Sequence, residues 1–377
     1  MVHRVVSTDA ATALPRQLAV NQPVREFVQP NAFEQFPICC TWPHHTAKWS
    51  HIGQADMKRN RLFILSAIAS TATMFCLNSA AYAGQPVVAE WELDPDRVEW
   101  GRISLQASKY FITATAEMDL AIVRSECLDL WEPTAGRPVM AGQDSAVLNV
   151  VSHALGINSQ IAFLMDARSG AALQYQNLES GRRTRQRTYR YTDEGASVWT
   201  RQPNAGEENA PLVSWPEADG DVRLFPLEAR GEKIIDPTGL LYIIAASDIA
   251  VPGDSLEMVI FVRRKAARLV VVAEKFVSLE EVIGGNLPIT KLVGSDNSPQ
   301  ALLLQLKPQP VAGSEDTKFE FLGLNRDIAI WLDPKTRLPL RVRGKAKIVG
   351  EVTFELQAAE LVVRPADTTP SECNATS

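Results

Sequence analysis

Histidine and cysteine are scarce in this chain, five of each in 377 residues, and their placement makes them scarcer still. Four histidines and three cysteines fall before residue 84, leaving His153, Cys127 and Cys373 beyond it. A zinc site of the usual Cys/His kind needs four ligands, or three and a water. A metal centre would have to come almost wholly from carboxylates, and no cofactor is expected. Clustered positive charge is lacking as well. Of 38 basic residues 7 lie at or before Ala83, and of 44 acidic residues 4 do, which leaves 31 against 40, a net charge of -9 for the rest. Nucleic acid, bound chiefly through grouped Lys and Arg, is therefore not an expected partner.

Catalytic motifs are missing too. There is no P-loop, no Gly-x-Gly-x-x-Gly and no Gly-x-Ser-x-Gly elbow. Gly253-Asp254-Ser255-Leu256 spells the block of one esterase class, but its serine would need a histidine base from further along the chain, and none follows His153. The segment reads better as a turn before a strand. The acidic pairs Glu280-Glu281 and Glu207-Glu208 have no patterned partner, so no catalytic residue is assigned.

An export signal is present, at an unusual position. Lys58, Arg59 and Arg61 flank an apolar stretch from Leu62 to Leu77, and Ala81-Tyr82-Ala83 puts small side chains where a signal peptidase needs them, predicting cleavage between Ala83 and Gly84. The stretch is about 16 residues, shorter than the roughly 20 of a membrane-spanning helix. The expectation is thus a cleaved signal at 57-83 and a periplasmic protein. The alternative is an inner-membrane anchor through 62-77, basic side in the cytoplasm. Residues 1-56 show no sustained period and read as disorder or mis-assigned upstream sequence, with Met57 as the start.

Residues 84-377 read as a single β-rich domain with a polar tail at 365-377. Ile161, Phe163 and Met165 alternate into a turn at Asp166 to Gly170, and Tyr189 and Tyr191 lead through Thr192-Asp193-Glu194-Gly195 to Val198 and Trp199. Leu256 to Val262 and Leu269 to Val277 form another hairpin. A terminal meander is expected over Phe319 to Leu324, Ile328 to Leu332, Leu340 to Ile348 and Glu351 to Leu361. Two helices are predicted. One follows the N-cap Asp236 and Pro237 and carries Leu240 to Ala245; the other runs from Asp144 or Ser145 to a stop at Gly156, with His153 on its solvent face. The irregular stretches are Gln202 to Val222 and Gly284 to Gln300.

The densest charge feature runs from Arg182 to Tyr191. On a strand, Arg183, Arg185, Arg187 and Tyr189 would share a face, a cradle for phosphate or carboxylate groups. Polar residues on both faces favour the other reading, an exposed edge strand kept from aggregating by its charges. Cys127 and Cys373 predict one disulfide, worth roughly 4 kcal/mol if unstrained; a buried Cys127 thiol with a loose Cys373 is the alternative, and the sequence leaves both open.

Asp327-Ile328-Ala329-Ile330-Trp331-Leu332-Asp333, Leu338-Pro339-Leu340-Arg341-Val342, the Val349-Gly350 turn and Val352-Thr353-Phe354-Glu355-Leu356 resemble the exported Gram-negative domain-of-unknown-function family 3108. Asp236 to Tyr242, then Ile249 and Pro252-Gly253-Asp254, is similar to that family's short helix and turn, and Gly156 to Tyr191 to its first half. The resemblance implies a periplasmic antiparallel β domain, distantly similar to the half-barrels of lipoprotein carriers, and supplies no catalytic residues.

The expected fold is therefore a curved antiparallel sheet or half-barrel with one or two short helices, partly plugged by the Asp236 helix. A concave aromatic face suits an apolar or lipid-like ligand, with Tyr242, Phe261 and Trp331 as candidate lining. The competing class is an envelope protein-interaction module working through its sheet edges. A hydrolase without histidine is the weakest alternative.

Overall fold

The computed structural model describes residues 91–110, 112–262, 265–283, 300–311 and 319–362. The expected signal segment at 57-83 with its cleavage site Ala83 and Gly84, Cys373 and the polar tail lie outside the described residues. Fifteen strands build the molecule: β1 (Trp100–Lys109), β2 (Ile112–Arg124), β3 (Asp144–Ala154), β4 (Ile157–Asp166), β5 (Ala172–Ser180), β6 (Arg185–Tyr191), β7 (Gly195–Arg201), β8 (Glu217–Leu224), β9 (Ile234–Ile235), β10 (Ser255–Val262), β11 (Lys265–Ser278), β12 (Gln300–Pro310), β13 (Leu324–Leu332), β14 (Pro339–Ala346) and β15 (Gly350–Leu361). Two short helices accompany them, α1 (Leu240–Ala246) and α2 (Leu279–Ile283).

All fifteen strands join one unclosed sheet in the order β8-β7-β6-β5-β4-β3-β2-β1-β15-β14-β13-β12-β11-β10-β9. Every pairing is antiparallel except the short parallel contact of β9 with β10. The mainly β architecture with its short helices is thus as expected from the sequence.

Contacts between distant strands show how strongly the sheet is curled. Strands β6 and β9 are third and fifteenth in the order, twelve spacings apart, about 58 Å in a flat sheet. Yet the Tyr191 hydroxyl, at the end of β6, donates to Asp236 Oδ2, one residue beyond β9, at 2.6 Å. Phe225, just past β8, meets Phe261 of β10 edge to face at 4.8 Å between ring centroids. The two free edges therefore approach one another through side chains, without a closing ladder.

Helix α1 plugs the inside. Its sequence, Leu-Leu-Tyr-Ile-Ile-Ala-Ala, is apolar all round and every residue is buried. Asp236 starts the turn by accepting from the Thr238 amide at 2.8 Å, with Pro237 at the first position. Gly239 lets the backbone come close to β4, since a Cβ there would stand 2.8 Å from Met165 Sδ and 2.9 Å from Phe163 Cε1. At the other end the Arg337 guanidinium donates to the carbonyls of Ile244, Ala245, Ser247 and Ile249 at 2.7 to 3.0 Å. Arg337 adopts φ 59 and is set by Asp333, whose carbonyl accepts from the Arg337 amide and whose Oδ2 accepts from the Thr336 amide at 2.7 Å.

Three expectations need correction. Asp144 to Gly156 is not a helix but strand β3 and its turn. Ala146, Leu148 and Val150 pack on the inner face, while Val147 joins a small outer cluster with Leu164 and Leu173. Apolar residues on both faces hide the two-residue period and imitate a helical stripe. Gly156, with φ 73 beside Leu155 at φ 53, serves a tight hairpin, a conformation a helix stop would also need. His153 is indeed exposed, but on a strand, its Nδ1 2.5 Å from Asn158 Oδ1 across the hairpin.

The first meander strand is misplaced as well. Phe319 to Gly323 form a turn closed by hydrogen bonds between Phe321 and Leu324, and the neighbour of β13 is β12. Finally, Arg185 to Tyr191 is not an edge strand: β6 lies between β5 and β7.

The segment from Ser125 to Gln143 covers the outer face of β3 to β7. Leu128, Leu130, Val139 and Ala141 pack on the outer cluster. Arg190 ties this segment down from beneath by donating to the carbonyls of Trp131, Leu173, Tyr191 and Val139. Cys127, at the start of the segment, is disulfide-bonded.

Candidate functional site

Between the first half of the sheet and the far strands β10 and β15 lies a cavity of about 500 Å³. That is within the roughly 300–1,000 Å³ of small-ligand sites. Its wall follows from the ladder register. Directly opposed residues in an antiparallel sheet share a face, and one such row crosses five strands as Met118, Val150, Ile161, Asn177 and Arg187. All five line the cavity. The row grades from apolar to cationic over four strand spacings, roughly 19 Å.

The next row toward the β2–β3 rim reads Ala116, Ser152, Ser159, Glu179 and Arg185. Small side chains at Ala114 and Ala116 leave the space that longer ones would fill. Phe261 of β10, Phe354 of β15 and the turn Glu320 to Gly323 form the opposite wall. A third row, Leu148, Phe163, Tyr175 and Tyr189, lies on the other side, deeper toward α1, with Tyr175 and Tyr189 stacked edge to face at 5.5 Å.

The charged groups are mostly on β5, β6 and at the start of α1, with Glu320 on the opposite wall and the hydroxyls of Thr115, Ser152 and Ser159 on β2 to β4. Arg185 is neutralised by Glu179, with Nη2 to Oε2 at 2.6 Å. Arg223 of β8 donates to the Tyr189 hydroxyl at 2.7 Å and stands 3.8 Å from Asp221. Arg187 has no ion-pair partner among the described residues, and its Nε is buried without a hydrogen bond. Burial first, then the neighbouring cations Arg185 and Arg223, push its basicity below the usual arginine value.

Asp236 sits at the α1 end of the cavity and is half-buried. Desolvation raises its carboxyl above the ordinary range, against the hydrogen bonds from Thr238 and Tyr191 that act the other way. Burial, then the field of Asp236, also holds the Tyr191 phenol far above its usual value, so Tyr191 stays a neutral donor.

Of the three lining residues named from the sequence, the structure places Phe261 in the cavity wall. Tyr242 is enclosed in the core beneath α1, its hydroxyl donating to the Ala167 carbonyl at 2.6 Å. Trp331 lies on the outer face of β13 under two guanidinium groups, Arg341 and Arg343, at 5.9 and 5.2 Å from the ring centroid. The alternation Ala114, Ala116, Met118 along β2 was a readable sign of an inward face with room beside it. What it lacked was a partner strand to say which face was inward. The Arg185, Arg187, Tyr189 face is readable too, but polar residues on both faces of the run point to an exposed edge strand instead.

The turn at Gly253 is structural: Asp254 Oδ2 accepts from the amides of Ala250 and Val251, and Ser255 opens β10. No cluster of His, Cys, Asp and Glu that could hold a metal occurs among the described residues. No helix among them is long and apolar enough to cross a membrane. No family model, curated protein or solved structure matches the chain.

Proposed function

We propose that this is an exported, periplasmic protein that binds a hydrophobic or lipid-like ligand inside its curled sheet, in keeping with the resemblance to the exported family named above. The observation that carries the reading is the cavity itself. Its wall is largely apolar, from Ala114, Met118, Val150, Ile161, Phe261 and Phe354. Close packing is the rule in protein interiors, and here the interior beneath α1 is packed while the space beside it is left open. A lining in which apolar side chains predominate and charged groups cluster mainly on β5 and β6 suits a small ligand with both a hydrocarbon and a polar part.

Native mass spectrometry and solvent extraction of protein purified from the periplasm test this. A co-purifying apolar ligand of defined mass is expected, lost when Ala116 is replaced by Phe. Protein that emerges from the periplasm without any such ligand, and that takes up no apolar probe, would overturn the reading.

A second reading rests on the free edge at β8. Glu217 to Leu224 is mostly exposed and pairs only on its β7 side, so its outer backbone groups could accept a strand from another envelope protein. Periplasmic crosslinking from a residue of β8 should then retrieve one stoichiometric protein without lipid.

A further inference from the structure

The polar end of the cavity carries a requirement of its own. A guanidinium removed from water needs hydrogen-bond acceptors for its donors, and a charge removed from water needs a counter-charge. The other two arginines nearby each have a partner within the protein, although Arg223 Nε, like Arg187 Nε, is buried without a hydrogen bond. Arg185 has Glu179, and Arg223 has the Tyr189 hydroxyl and Asp221 nearby. Of the remaining carboxylates at the wall, Asp236 is occupied by Thr238 and Tyr191, and Glu320 is engaged in an interaction of its own. Arg187 lines the cavity with no hydrogen bond or ion pair among the described residues, half-buried, its Nε sealed from solvent; the cations Arg185 and Arg223 are neighbours, and the opposing field of Glu179 comes from a carboxylate already paired with Arg185. An oxyanion entering the cavity would supply the acceptors and the unshared counter-charge that Arg187 lacks among the described residues.

The geometry points to an anionic amphiphile as the ligand: an acyl or alkyl chain along Ile161, Val150 and Met118, with a carboxylate or phosphate head group held by Arg187. The register gives the order, since Arg187, Asn177, Ile161, Val150 and Met118 are successive neighbours on one row. Asn177, between the cation and the apolar wall, can donate a second hydrogen bond to the head group. A planar guanidinium matches two oxygens of a carboxylate or phosphate at once. This inference rests on the apolar-ligand reading of the same cavity and adds the charge of the ligand to it.

Matched probes test the head group separately from the chain. Dodecanoate, dodecyl phosphate and dodecanol are titrated calorimetrically into the purified full-length protein. At least one anionic probe is expected to bind about 10 to 100 times more tightly than dodecanol, the range of a hydrogen-bonded charge; which of the two it is identifies the head group. Arg187→Gln should erase that preference while changing dodecanol binding less than about threefold. It should also leave the thermal midpoint of the ligand-free protein unchanged or raised, which an arginine with a structural role would not do. Glu179→Gln, which releases Arg185, should tighten the anion several-fold. Dodecanol binding as tightly as both anions, an anion preference that survives Arg187→Gln, or an anion weakened by Glu179→Gln would each overturn the head-group assignment while leaving the apolar-ligand reading in place. Failure of all three probes to bind would overturn both.

Discussion

Arg337 and Arg187 both lose water on folding, in opposite circumstances. Arg337 spends its donors on four carbonyls around the end of α1, and burial lowers its pKa to about 10. Arg187 spends none on the described protein. The same contrast runs through their surroundings. Beneath α1 the side chains of Leu240, Tyr242, Phe163 and Met165 leave no exposure above 1 %. Beside it, Ala114, Ala116 and Ser152 border open space. Completed polar groups and dense packing mark the part of the interior that holds the fold together. Small side chains and Arg187, unpartnered among the described residues, border the open space on which the ligand proposal rests.

The comparison can be broken most severely at Arg337. Arg337→Met leaves the Ala245 and Ile249 carbonyls without the donor seen here, and with about 1–3 kcal/mol for each buried group left unpaired the loss should be about 3 kcal/mol or more, read from urea unfolding. A smaller loss would mean that water replaces the guanidinium and that the end of α1 is not sealed.

Packing gives the next test, through the same substitution at two sites. Ala245→Phe, on fully buried α1, should cost about 1–3 kcal/mol by overpacking. Ala116→Phe, which grows into the cavity, should stay within about 1 kcal/mol of the parent while lowering dodecanol and dodecanoate binding at least about tenfold. Equal costs at the two positions would mean that the cavity closes up in solution.

The smallest effect concerns pH. The carboxyl of Asp236 is raised in the folded state, so its contribution to stability is fully present below the usual carboxylate value, about 3.9, and is lost as the pH rises through the raised folded value. Asp236→Asn should remove that dependence. Relative to the variant, the parent should lose up to about 1.4 kcal/mol, between about pH 4 and neutrality, for each unit by which the folded value is raised. Parallel stability curves for the two proteins would show the carboxyl to be solvated after all.

Some of this was legible from residue order alone. Asp236-Pro237 announced α1, because a capping side chain and a fixed φ act within a few residues. The hairpins at Asp166 and Thr192 were readable for the same reason, since turn chemistry is local. Strand β3 was misread because its sheet is covered on both faces, by α1 on one side and by the Leu128 to Ala141 segment on the other, and two-sided burial erases alternation. Strand β12, Leu302-Leu303-Leu304 in its centre, was missed for the same reason.

The site was half legible. The Arg185, Arg187, Tyr189 face could be seen as a possible anion cradle, and Phe261 as lining. Trp331 could not be told from an outer-face residue, nor Tyr242 from core, because an aromatic side chain looks the same in either place until its neighbours are known.

What the sequence by itself determined is the class of the fold and the short buried helix. These depend on composition and on interactions a few residues long. What only the tertiary structure decided is which face of each strand is inward, that β6 is an interior strand, and that Arg187, without a hydrogen bond or ion pair among the described residues, stands beside the cavity. Those depend on register and curl, which bring Tyr191 to Asp236 and Phe225 to Phe261 across the whole width of the sheet, and no local pattern encodes a distance of that kind.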